Sequence, residues 1–112
     1  MKSEDKFCKR KELIMELLKE RMEQTLTIAI IGRLDTTTAP ILDAELTGAL
    51  ENVKELVLDC SKMDYISSAG LRVLLSAQKK MNQQGSMKLI GVQEAVMDVF
   101  EITGFVDILT IE

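Results

Sequence analysis

A chain of 112 residues with 46% hydrophobic content suffices for one small domain with one core and leaves no room for a second catalytic domain. Its formal charge of −4 argues against a general attraction to nucleic acid, which depends on clustered positive charge; only the first eleven residues look basic. Histidine is absent, which excludes Ser–His catalysis and His-ligated metal sites.

Taken in chain order, Lys6 to Met22 has helical periodicity, with Leu13, Ile14, Leu17, Leu18 and Met22 on one side and Lys, Glu and Arg elsewhere. Leu26 to Ile31 is β-branched and apolar, a strand ended by Gly32. Thr37 or Thr38 can cap the next helix, Pro40 suits its first turn, and Leu42, Leu46, Ala49 and Leu50 form its buried stripe. Glu55 to Leu58 reads as a strand of a parallel sheet, and Asp59 to Asp64 as the loop that follows.

Ser67 or Ser68 then caps a helix whose Leu71, Leu74, Leu75 and Met81 recur at helical spacing, while Arg72, Gln78, Lys79, Lys80 and Gln83 can face water. Gly85 is its stop signal, and Ala69 and Gly70 leave the preceding turn uncrowded. The crossover returns to a parallel strand at Met87 to Ile90. Ala95, Val96, Val99, Phe100 and Ile102 give a third helix its apolar face, Thr103 and Gly104 end it, and Val106 to Ile111 is a closing strand.

The chemistry on offer is narrow. No Walker-type phosphate loop or CxxC pair is present, and Cys8 and Cys60 match no metal or redox spacing, which suits a reducing cytoplasm. Cys60 reads as a small residue near the end of a buried strand. Asp35, Asp59 and Asp64 could cluster near Ser68 for magnesium or acid/base work, but Asp is common in turns and caps, and that is the reading adopted. No apolar run approaches the ~20 residues of a membrane span, and no secretory signal is evident. The expectation is a soluble cytoplasmic protein that is not an enzyme and needs no metal or cofactor.

Three stretches carry a resemblance. Tyr65 to Leu75, YISSAGLRVLL, resembles the signature of STAS domain proteins, specifically the bacterial anti-sigma factor antagonists. Gly32 to Pro40, GRLDTTTAP, is similar to that family's second-strand exit and first-helix start, and Gly91 to Leu109, GVQEAVMDVFEITGFVDIL, to its C-terminal helix and last strand. The resemblance covers about Met15 to Glu112, with the motifs in family order.

It implies an α/β STAS fold: a small, mixed, mostly parallel sheet of 4–5 strands with helices packed largely on one face. It turns Met15 to Glu20 from helix into a first strand, hairpinned onto Leu26 to Ile31 through Met22, Glu23 and Gln24 without the usual Gly or Asn. Residues 1–14 become a basic, partly disordered extension, and 15–112 the domain. The helical alternative would leave an apolar stripe in need of a partner, such as a second copy of this chain.

The resemblance also implies a function. In antagonists of this family the serine matching Ser68 is phosphorylated by the anti-sigma factor, itself a serine kinase, and only the unmodified form binds that kinase and frees the sigma factor. Asp35, Tyr65, Ile66, Ser67, Ser68 and Arg72 are the partner-binding residues so expected. Asp35 matches the Asp of the family's GxLD turn; by the residues alone it is equally a turn residue in an Asp-Thr-Thr-Thr cluster. This chain has Ser67 where the best-known members have Asp, and Ala69 where Ser is often found, so Ser67 is a rival acceptor. Met63, Ile66 and Phe105 read as exposed apolar residues, available to a partner or a weak homodimer. Neither direct nucleic-acid nor membrane binding is expected. Two alternatives stand beside the antagonist: a docking subunit of a transporter or signalling complex without phosphorylation, and a small-molecule or nucleotide-sensing STAS domain.

Overall fold

The computed structural model describes residues 15–112. Four strands, β1 (Met15–Met22), β2 (Thr25–Leu34), β3 (Glu55–Ile66) and β4 (Ser86–Ile90), form one sheet in that spatial order. Helix α1 (Ala39–Ala49) links β2 to β3, α2 (Ser68–Gln84) links β3 to β4, and α3 (Glu94–Thr103) follows β4. β1 is antiparallel to β2, and the other two pairings are parallel, as crossover helices require.

Residues 15–22 are therefore strand, not helix. Met22 pairs with Thr25, leaving a two-residue turn in which Glu23 takes a left-handed φ of 58° where Gly or Asn is usual. Burial decides against the helix: Met15 is buried and Leu17 packs on the core opposite Ile30, while Leu18, beside Ala29, faces the open side of the sheet. The expected extension, 1–14, lies outside the described residues.

Alternation in β2 sends Leu26, Ile28 and Ile30 to one face, where they meet Leu56 and Leu58 of β3 and Met87 and Leu89 of β4. The same cluster takes in Leu42 and Leu46 of α1, Leu71, Leu74 and Met81 of α2, and Val96 and Phe100 of α3. All three helices thus cover one face, as expected. The opposite face carries Thr27, Ala29, Asp59 and Lys88, with Lys88 paired to Glu55 and Glu112.

The expected loop at 59–64 is instead the second half of β3. Its pairing with β2 continues to Leu34–Ile66 through two register shifts, at Ala29/Ile31 and Gly32/Arg33, the second beside Gly32 at φ 105°. Each shift adds a residue to β3, so its inward positions run Leu58, Cys60, Met63, Ile66 and the spacing lengthens from two to three. Met63 and Ile66, expected on the surface, are consequently buried.

The expected closing strand is also different. Gly104, left-handed at φ 83°, ends α3, and the chain winds at once into a 3₁₀ turn at Phe105–Asp107, with Ile108 and Leu109 N–H both donating to the Phe105 carbonyl. Only a single parallel bridge, Leu89 to Ile111, remains of that strand. Two helix faces also depart from expectation. Gln78 is buried and donates to Asn82 Oδ1 (2.9 Å), while Ile102 is 85% exposed and Ala95 lies at the surface, leaving Val96 and Phe100 to anchor α3.

Candidate functional site

The site forms where β2 and β3 end side by side and α1 and α2 begin. Leu34 pairs with Ile66, and one residue on, the Ser67 N–H donates to the Leu34 carbonyl at 2.9 Å. That bond ties the start of α2 to the turn leading into α1. Both Leu34 and Ile66 are buried beneath it.

The two serines divide the work at the start of α2. Ser67 is the N-cap, extended in backbone; its Oγ accepts from the Gly70 N–H at 3.4 Å and its carbonyl from the Leu71 N–H at 2.9 Å. Ser67 is half-buried. Ser68, the first helical residue, is exposed, and among the described residues its hydroxyl makes no hydrogen bond. Gly70 lets the helix lie this low: a Cβ there would stand 2.8 Å from Leu34 Cγ and 3.0 Å from the Leu34 carbonyl oxygen.

Asp35 organises the facing turn. Its Oδ1 accepts from the Thr37 hydroxyl (2.8 Å), the Thr37 N–H (3.0 Å) and the Thr38 N–H (3.1 Å), and its carbonyl accepts from the Ala39 N–H (2.8 Å). The Thr37 hydroxyl chiefly, then the two amides, outweigh burial and hold the carboxyl down at about 2. Neither threonine caps α1 with its side chain, contrary to expectation. Thr38 is buried, its Oγ1 accepting from the Asp35 N–H (2.8 Å) and donating to the Arg33 carbonyl (2.7 Å). Asp35 is thus first a turn residue.

Arg33 is the contributor that sequence reasoning missed. Its Nε lies 3.5 Å from Asp35 Oδ2, and its guanidinium sits 4.3 Å above the Tyr65 ring, the two residues being partners across β2 and β3. Only strand register reveals this, because 32 residues separate them in the chain.

Of the expected partner-binding residues, Ser67, Ser68 and Tyr65 come together at this rim, with Asp35 alongside, and Arg72 is exposed one turn along α2 from Ser68. Ile66 does not join them at the surface: the bulges of β3 turn it inward, so it supports the rim from below. Asp59 and Asp64 do not join Asp35 in a metal-binding group, and no such group occurs among the described residues. Cys60 is buried, and burial, with the Asp59 charge second, pushes its thiol up to about 12, far from a reactive thiolate. Among the described residues no helix is long and apolar enough to cross a membrane.

A mixed four-stranded sheet with three helices is the arrangement of the STAS anti-sigma antagonist structures, and the STAS domain family model matches residues 16–112. The chain belongs to that family and, within it, to the anti-sigma factor antagonists. It is 36% identical over 101 residues to the anti-sigma-B factor antagonist of Listeria monocytogenes, covering 85% of each chain. In fold it is similar to an anti-sigma factor antagonist from Mycobacterium paratuberculosis, with a TM-score of 0.79, 20% identity and coverage of 87% of this chain and 84% of that one. It is similar also to the Bacillus cell fate determinant SpoIIAA in its phosphorylated form, with a TM-score of 0.69, 17% identity and coverage of 87% and 91%. The family is one of regulators.

Proposed function

We propose that this chain antagonises an anti-sigma factor that is a serine kinase: unmodified it binds the kinase in the cytoplasm and frees a sigma factor, and phosphate on Ser68 ends the binding. The observation that carries this reading is the unequal setting of the two serines. Ser68 offers an exposed hydroxyl without an internal partner, whereas Ser67 is half-buried and holds the N-cap. The Listeria relative is named for antagonising the anti-sigma-B factor, and SpoIIAA, of like fold, exists in a phosphorylated form.

In the transfer, Ser68 Oγ bonds to the γ-phosphorus of ATP held by the kinase, the bond to the ADP oxygen breaks, and the hydroxyl proton passes to a base on the kinase. Added phosphate brings about −1.5 to −2 charges into the contact, at a desolvation cost and with repulsion from nearby acids. The fold tolerates it, because anions are favoured at a helix start. The switch is then one of contact, with little change of structure.

Incubation of the purified protein with its cognate kinase and ATP, followed by mass spectrometry, tests the reading. One phosphate on Ser68, absent in Ser68→Ala and accompanied by loss of the complex, is the expected result. A stable complex without phosphate on either serine, unaltered by Ser68→Asp, would replace the antagonist with a docking subunit.

A further inference from the structure

Charge is segregated by helix. The 17 residues of α2 include Arg72, Lys79 and Lys80 and no acid, although the chain carries a net −4. The flanking helices are the reverse: α1 has Asp43 and Glu45 and no base, α3 has Glu94, Asp98 and Glu101 and no base. Ser68, Arg72, Ser76, Lys79 and Gln83 are all exposed and recur at spacings of four, four, three and four, so they form one stripe along α2. Lys80 lies on its shoulder, facing Asp43 across a shallow groove against α1.

Lys19, Arg33 and Lys88 each have a carboxylate partner; among the described residues Arg72, Lys79 and Lys80 have none, nor do Arg21, Lys54 and Lys62, but only the first three share one helix. From Ser68 to Lys79 the stripe extends about 16 Å, at roughly 1.5 Å per residue.

We infer that this stripe is a docking surface for an acidic face of the kinase, which lands along α2 with its active site at the Ser68 end. The inference rests on the reading of Ser68 given above. An acidic partner is repelled by the carboxylates of α1 and α3 and meets none on α2, so among the three helices charge favours approach along α2. Phosphate on Ser68 then acts at the head of that line, where its charge of about −1.5 to −2 offsets half or more of the three positive charges of α2.

Association rates with the cognate kinase test this, measured for wild type, for Lys79→Glu/Lys80→Glu, and for Lys54→Glu/Lys62→Glu, which makes the same change in net charge at exposed positions off the stripe. The expected result is an association rate lowered at least about 10-fold by the stripe pair and no more than about 2-fold by the other, with wild type slowing about 10-fold between 50 and 500 mM salt. Unchanged circular dichroism and melting temperature in both variants confirm that the fold is intact. Equal effects of the two pairs, or indifference to salt, would overturn the docking surface while leaving Ser68 phosphorylation standing. A wild-type protein that neither binds the kinase nor takes phosphate from it would bring down both.

Discussion

Asp35 shows how one side chain can be read correctly in place and incompletely in purpose. The GRLDTTTAP pattern makes it a turn residue, and its bonds to Thr37 and Thr38 bear that out, but the step from its ion pair with Arg33 on to the Tyr65 ring depends on pairing between distant strands. The depressed acidity has a signed consequence. Because the folded state holds the carboxyl at about 2 against an ordinary 3.8, its contribution is complete above about pH 4 and is lost as pH falls toward 2. Urea unfolding of wild type and Asp35→Ala at neutral pH should differ by about 1 kcal/mol, as for loss of a helix cap, and the gap should narrow between pH 4 and pH 2. A gap that stays constant over that range would show that the ionised carboxylate is not the source. The start of α2 at Ser67 and Ser68 is legible for a simpler reason: it lies in one continuous stretch whose local pattern marks a helix start, whereas Tyr65 and Arg72 come forward only through the family resemblance.

At the level of elements, legibility followed periodicity. β2, α1, α2 and β4 keep one period from end to end and stand where their apolar residues put them, within a few residues. β3 does not, since its bulges change the inward spacing from two to three partway along, and polar residues at 59, 61, 62 and 64 then look like a loop. The same change of spacing turns Ile66 inward, against its expected place on the surface. Hairpin β1–β2 hid behind Glu23, whose left-handed φ breaks the usual turn chemistry. A close approach governs the end of α2: a Cβ on Gly85 would stand 1.9 Å from the Lys54 carbonyl oxygen, inside the junction where Ser86 N–H donates to that same carbonyl at 2.9 Å. Gly85 has an extended φ of 178°, so crowding, not backbone preference, makes the position glycine. Gly85→Ala should therefore cost about 2–3 kcal/mol in chemical denaturation, the scale of overpacking against an unyielding backbone. A loss below about 0.5 kcal/mol would mean that the β3–β4 junction gives way easily.

Across the whole molecule, one apolar cluster takes residues from every strand and all three helices, and Leu109 beyond them. No part of the described chain has a core of its own. Urea unfolding followed by far-UV circular dichroism and by hydrodynamic radius should therefore give one coincident transition, with an m-value of about 1 kcal/mol/M for a domain of this size. Separate midpoints would reveal a unit, such as α3 with its 3₁₀ turn, that comes away first. The single layer of helices leaves the other face of the sheet open, and that openness is why alternation was readable in β2, whose two faces differ in burial.

The chain has one tyrosine and no tryptophan, and that tyrosine is Tyr65, 41% exposed beneath the Arg33 guanidinium and three residues before Ser68. Its near-ultraviolet emission therefore originates almost wholly at the rim of the proposed switch. The molecule carries a built-in optical reporter there: light excited at tyrosine's absorption edge samples the surroundings of this one ring, without a label and without background from the core.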